Sequence, residues 1–273
     1  MSRRILAILS DLHSGSTIGL MPPKVITDDG MEIRQSQGQK WMWKLWLKYW
    51  RMIYELAGDD ELHVIVNGDL IEGDHHNTTQ IWSKRIKDQK DAAVECLLVP
   101  SNRCTQMYIT RGTVTHVGES GTVEDDIAKE LGAYQLKSHP HLELDVGGVR
   151  FDIAHHGASR GRRWWTQTNA WRHILHSEMI RSLEEGKKPP HYIVRSHVHK
   201  APPPVTERMD WRNVLYETTG IITPAWQLKT EFGHKISNGE LSDIGMYVIE
   251  IEGDRHWWER WMVRWDSTTR VTV

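Results

Sequence analysis

The sequence predicts an α/β protein with mixed sheets flanked by helices, and three observations carry that expectation. The first half alternates short apolar runs with segments whose apolar residues recur every three or four positions. The second half is strand-rich, with turn signals at Gly147-Gly148 and Gly253-Asp254. Several of the strand-like runs close on Asp, Asn or His, and α/β sites form outside the carboxyl ends of strands.

The elements follow in order. Arg4 to Leu9 is a short apolar run halted by Ser10 and Asp11, the pattern of a buried strand, and a Gly- and Pro-bearing loop runs from Ser14 to about Gly38. Lys40 to Leu56 reads as a helix, because Trp43, Trp46, Leu47, Trp50, Ile53, Tyr54 and Ala57 recur at helical intervals; its tryptophans suit packing better than a cofactor site. "ELHVIVNGD" is the next strand, Asp88 to Val99 the next helix, and "MYIT" (Met107 to Thr110) a third strand. "TVEDDIAKELG" is a compact helix with Thr122 as N-cap, acids in its first turn and Gly132 as its stop. "HLELDVGGVRFDIAHHG" reads as two strands joined at the glycines, Asn169 to Glu185 as a helix, and "YIVRSHVHKAPPP" as a strand that runs into two histidines and three prolines. The chain closes with "MYVIEIEGDRHWWERWMVRW", a hairpin. No internal repeat, low-complexity stretch or linker interrupts this, so residues 1–273 are expected to form a single domain.

Composition narrows the function. At 26% charged and 39% apolar residues the chain is ordinary globular protein, and its net charge of -2 gives no basic coat for nucleic acid or membrane; any polyanion has to be gripped locally. The apolar start is too short for a signal-peptide core, no run approaches the ~18 apolar residues of a membrane span, and Cys96 and Cys104 match no zinc pattern. A cytoplasmic protein with no membrane contact is expected; oligomeric state is not legible.

Four polar clusters carry the chemistry. Asp11-Leu12-His13 closes the first strand, Asn67-Gly68-Asp69 the second, His155-His156-Gly157 the strand after the glycine turn, and His197-Val198-His199 the late strand. In extended chain, alternate residues face one way, so D-x-H and H-x-H each aim two donors at one point. One such pair is weak; four clusters past strand ends point to a metal site. Carboxylates mixed with imidazoles suit Mn, Fe, Co, Ni or Zn without choosing among them, and more than four ligands favour two ions over one.

The order of these clusters resembles the calcineurin-like metallophosphoesterases, whose motifs match here as "SDLHSG", "VNGDLIEG", a degenerate "RGTVTHVGE", "AHHG" and "SHVH" between Asp11 and His199. The resemblance implies a four-layer α/β/β/α sandwich with two mixed β-sheets and a dinuclear, metal-dependent phosphoester hydrolase, with manganese the favoured activator. It also implies that Asp69 bridges two ions, that Asp11, His13 and His199 hold one, and that His197 and a histidine of "AHHG" hold the other. His155 continues the face of Phe151 and Ile153, whereas His156 directly precedes the glycine; one is expected to be a ligand and its neighbour an orienting or substrate contact.

Two departures from the family stand out. Ser196 replaces a glycine, and in the third motif Thr113 replaces the asparagine that completes the second ion's ligands, with the histidine two residues late at His116. His116 is then either the proton donor to the leaving group, the expectation preferred here, or a substitute ligand, with a weakly held second ion as a further outcome. Arg160, Arg162 and Arg163, interleaved with Trp164 and Trp165, suit a phosphate and stacked bases, so a nucleotide or nucleic-acid phosphodiester is the expected substrate. A basic helix start over buried tryptophans explains that stretch equally well. His75 and His76 are either substrate contacts or loop residues. The alternative from another class is a binding or scaffold protein that kept the fold and lost turnover through the altered third motif.

Overall fold

The structure is a computed structural model that describes residues 3–74, 79–117, 122–157, 168–229 and 242–265. Its strands in chain order are β1 (Arg3–Leu9), β2 (Lys24–Ile26), β3 (Glu32–Arg34), β4 (Glu61–Asn67), β5 (Gln106–Thr110), β6 (Ser138–His139), β7 (Leu142–Val146), β8 (Val149–Ile153), β9 (Tyr192–Arg195), β10 (Val205–Trp211), β11 (Val214–Ile222), β12 (Ser242–Glu252) and β13 (Arg255–Trp265). The helices are α1 (Gln37–Ala57), α2 (Ile86–Ser101), α3 (Val114–Val117), α4 (Thr122–Glu130) and α5 (Asn169–Glu184).

Alternation along β1 decides the layering. Ile5, Ala7 and Leu9 pack with Trp46, Trp50 and Ile53 of α1, Leu97 of α2 and Ile127 of α4, while Leu6 and Ile8 turn the other way. There they meet Phe151, Ile153, Tyr192, Val194 and Ile221 of a second sheet. On that sheet's far side, Trp171 and Leu175 of α5 pack on Ile193, Val205 and Ile222. The result is the four-layer α/β/β/α sandwich that the motif order implies. Fully burying each such side chain contributes about 1.5–3 kcal/mol, so the two-sided apolar pattern of β1 is itself a reason for its central place.

Both large sheets are mixed. The first runs β13-β12-β1-β4-β5-β6, with β1, β4, β5 and β6 parallel and β12 antiparallel to both of its neighbours, β1 and β13. The second runs β10-β11-β9-β8-β7, with β8, β9 and β11 parallel at its centre. The glycine turn joins β7 to β8 as expected, Gly147 and Gly148 having φ of 61° and 89°.

Local differences have local causes. The segment read as one loop from Ser14 holds the small hairpin β2–β3, too short to show periodicity. Helix α1 starts earlier than its apolar pattern because Ser36 and Gln39 form a reciprocal capping box. The segment around His116 is a single helical turn, α3. Among the described residues no helix is long and apolar enough to cross a membrane.

Candidate metal centre

Asp11 and His13 follow β1, Asp69 follows β4, Thr113 and His116 follow β5, His155 follows β8, and His197 and His199 follow β9. Extended alternation is not what aims the D-x-H and H-x-H pairs. Asp11, His13, Asp69, His197 and His199 lie beyond their strand ends with φ of 55°, 48°, 55°, 75° and 51°. Left-handed backbone at non-glycine residues is uncommon and tolerated best by Asn, Asp and His; where strained it costs on the order of 1–3 kcal/mol. The pairs converge because the chain curls at each member; among the described residues the other left-handed non-glycine positions are Gln135, Leu136, Arg212 and Asn213.

The curls bring donor atoms together. Asp11 Oδ1 is buried without a hydrogen bond, 3.2 Å from His199 Nε2, 3.8 Å from His13 Nε2 and 3.9 Å from His155 Nε2. Asp69 Oδ2 lies 2.9 Å from His155 Nε2 and 3.9 Å from both His197 Nδ1 and His116 Nε2. The Nε2 atoms of His13 and His199 face each other at 3.0 Å. Three groups result, Asp11–His13–His199, His13–Asp69–His116 and Asp69–His155–His197, each with donor atoms within 4.8 Å of one another. An orphaned buried carboxylate oxygen ringed by imidazole nitrogens fits a cation, and the middle group shares His13 with the first group and Asp69 with the last.

Surrounding residues fix these orientations. His155 Nδ1 donates to the Asn67 carbonyl at 2.6 Å and His116 Nδ1 to the Glu72 carbonyl at 2.6 Å. A carbonyl only accepts, so each ring carries its proton on Nδ1 and turns Nε2 inward. A Cβ at Gly68 would sit 2.6 Å from His155 Nδ1, and one at Gly112 would sit 2.3 Å from Asp69 Oδ1, so both glycines are required by close approach. The Glu124 carboxylate ties the β4 and β5 loops by accepting from Gly112 N at 2.7 Å and Leu70 N at 3.3 Å. Beneath the site, Asn67 Nδ2 donates to Ser196 Oγ at 2.5 Å, Ser196 meets Thr223 Oγ1 at 2.7 Å, and Ser10 links Thr223 to Asp11. Ser196 is thus part of a buried hydroxyl network.

Of the two adjacent histidines, His155 is the buried one that reaches Asp69; His156 is exposed, its ring centroid 4.9 Å from that of His197. Thr113 donates from N to Asp69 Oδ1 at 2.6 Å and from Oγ1 to Asp69 Oδ2 at 3.0 Å, with Oγ1 3.2 Å from His197 Nδ1. Arg160, Arg162 and Arg163, and also His75 and His76, lie outside the described residues. Sequence reasoning missed Glu72, Glu124 and Gln227. Each is a lone polar residue with no spacing signal, and only burial marks it.

Charges in this enclosure are mutually dependent. Burial opposes ionisation of Asp11, yet His199, His13 and His155 hold its carboxyl below the usual range; burial likewise opposes Asp69, and His155 and His197 hold it well below. Burial disfavours charge on His13 and His155, but Asp11 with Glu72 raises the first to about 10, and Asp11 with Asp69 raises the second to about 9. Glu124 is pushed up to about 7 by burial and by Asp69. With no cation bound, both imidazoles therefore stay protonated at neutral pH. Their pairing stabilises the fold fully below about pH 6.5 and is lost as pH rises through 9 to 10. The depressed carboxylates contribute above their ordinary range and lose that contribution in acid. A cation entering the site has to displace the protons on His13 and His155. Calorimetric titration in buffers of different ionisation enthalpy is expected to read a net release of protons on metal loading at pH 7.5. A value near zero would contradict this charge assignment.

Neither a protein-family model nor a curated protein matches the chain. Among solved structures it is similar to a conserved protein described as a predicted phosphoesterase from Streptococcus pneumoniae TIGR4, at 10% identity and a TM-score of 0.36 over 96% of this chain and 91% of that one. It is also similar to Vps29 of Entamoeba histolytica complexed with Zn²⁺ (8% identity, TM-score 0.41, 95% of this chain and 98% of that one). A hypothetical protein from Pyrococcus horikoshii OT3 is similar at 8% identity and a TM-score of 0.46, over 97% of this chain and 89% of that one. These likenesses concern the fold alone.

Proposed function

We propose that this protein is a phosphoester hydrolase dependent on two divalent cations and acting on phosphodiesters of nucleotide or nucleic-acid type. The observation that carries the reading is Asp11 Oδ1, buried without a hydrogen bond amid the Nε2 atoms of His13, His155 and His199. Asp11, His13 and His199 would hold one ion, His155 and His197 the other, and Asp69 both. Two such ions supply Lewis-acid polarisation of a phosphoryl group and a lowered pKa for the attacking water.

The chain's own residues do the rest. Asp11 and Asp69 balance the cationic charge from inside the protein, where water screens little. His116, held through Nδ1 by the Glu72 carbonyl, turns Nε2 into the site, where that nitrogen, once it has taken up a second proton from solvent, donates it to the leaving alkoxide. Arg160, Arg162 and Arg163 grip the phosphate, and exposed His156 contacts the substrate at the mouth of the site. Manganese is the activator expected in vitro, and the two free thiols suit a reducing, cytoplasmic setting.

Thr113 favours a second reading. A hydroxyl stands beside Asp69 and His197 where the family carries an amide oxygen, and a neutral hydroxyl is the weaker donor. A chain with one poorly held ion would serve as a binding or scaffold module. Metal analysis combined with a substrate panel separates the two. The expected result is up to two ions per chain and Mn²⁺-dependent cleavage of phosphodiesters in preference to monoesters. Monoesterase activity alone removes the diester assignment, and inactivity with every divalent ion tried leaves the binding module.

A further inference from the structure

We infer that Glu72 is a positioning residue for the ion held by Asp11, His13 and His199, setting one imidazole with its carboxylate and a second with its main-chain carbonyl. This rests on the metal reading above. Glu72 is buried, and its Oε2 stands 3.0 Å from His13 Nδ1, an ion-pair distance to a buried nitrogen that makes no hydrogen bond in its present orientation. Gln227 Nε2 donates to the same oxygen at 2.8 Å, so the carboxylate is held from its other side. The Glu72 carbonyl accepts from His116 Nδ1 at 2.6 Å, and its N–H donates to the Ser14 carbonyl at 2.9 Å. One residue thus grips the loop after β1 and two rings whose Nε2 atoms turn toward Asp11 and Asp69.

A carboxylate on the outer nitrogen of a ligating histidine fixes the tautomer and ring orientation and makes the inner nitrogen a better donor. Gln227 extends the arrangement to the strap after β11. There Trp226 N donates to the Asp11 carbonyl at 2.9 Å and Leu228 N to the Ile18 carbonyl at 2.9 Å. The His155–His197 side of the site has no part in this set: His155 is oriented by the Asn67 carbonyl instead. Loss of the Glu72 carboxylate should therefore weaken one ion and spare the other.

The test is titration of the full chain, stripped of metal, with Co²⁺, followed by calorimetry and by the visible absorption of the bound ion. Glu72→Gln keeps the size and removes the charge; Gln227→Leu leaves the carboxylate unclamped. Glu72→Gln is expected to lower the affinity of one of two Co²⁺ sites by about 10–100-fold and to shift its absorption band, leaving the second site unchanged. Gln227→Leu should act on the same site, more weakly. Parental affinities and spectrum in Glu72→Gln would overturn the inference. So would equal loss of both sites with a lowered unfolding temperature, which would make Glu72 a general structural support. Failure of the parent chain itself to bind Co²⁺ would instead sink the metal reading on which this depends.

Discussion

Asp69→Asn is expected to weaken both ions by more than about 100-fold and to abolish nearly all metal-dependent ester cleavage. Loss of a group that merely orients a ligand costs 10–100-fold in affinity, and in the proposed two-ion site Asp69 would contact both ions directly. It lies 2.9 Å from His155 Nε2 on one side, and it shares a group with His13 and His116 on the other. Asparagine is the right probe because it isolates the charge. It tolerates the left-handed backbone that Asp69 adopts at φ 55°, and its amide oxygen can still accept from Thr113 N. Alanine would confound the result by adding backbone strain. Metal analysis of a folded Asp69→Asn chain carrying two ions at parental affinity would show that the carboxylate bridges nothing.

The position of Asp69 was legible in the sequence because a buried parallel strand leaves a plain trace, an apolar run that stops on polar residues. The same trace places Asp11, His155 and His197 and explains the central position of β1, which is apolar on both faces, whereas the order of the four layers was implied by the resemblance of the motifs. What the sequence conceals is the reason the donors converge. Left-handed curls at Asp11, His13, His197 and His199 do that, and no propensity announces them because Asp and His occupy many other conformations. Glu72 and Glu124 are hidden for a related reason. A lone glutamate reads as solvated surface, and only tertiary packing places Glu72 behind His13 and Glu124 across the β4 and β5 loops. The choice between His155 and His156 needed the neighbouring sheet. His155 extends the inward face of Phe151 and Ile153 to where the Asn67 carbonyl waits, whereas His156 faces out.

His116→Ala is expected to cut turnover of alkyl phosphodiesters by about 10²–10⁴-fold, the usual worth of a general acid, with both ions retained. The leaving alkoxide needs a proton at neutral pH, and His116 Nε2, 3.9 Å from Asp69, is the imidazole nitrogen beside the ion-holding groups that belongs to neither outer set. With no cation bound, burial and the neighbouring His13 push its pKa down to about 4, and the proton of the neutral ring sits on Nδ1, toward the Glu72 carbonyl. Donation from Nε2 therefore requires a second proton, and the anionic phosphoryl group arriving beside the ring is what favours it. The consequence is a dependence on the leaving group. Nitrophenolate departs without a proton, so nitrophenyl diesters should lose far less activity in His116→Ala than alkyl diesters do. Equal losses on both substrate types would remove the donor role. Loss of an ion in His116→Ala would make the ring a ligand of the His13–Asp69 group, and the proton would then have to come from elsewhere, His75 and His76 being the next candidates.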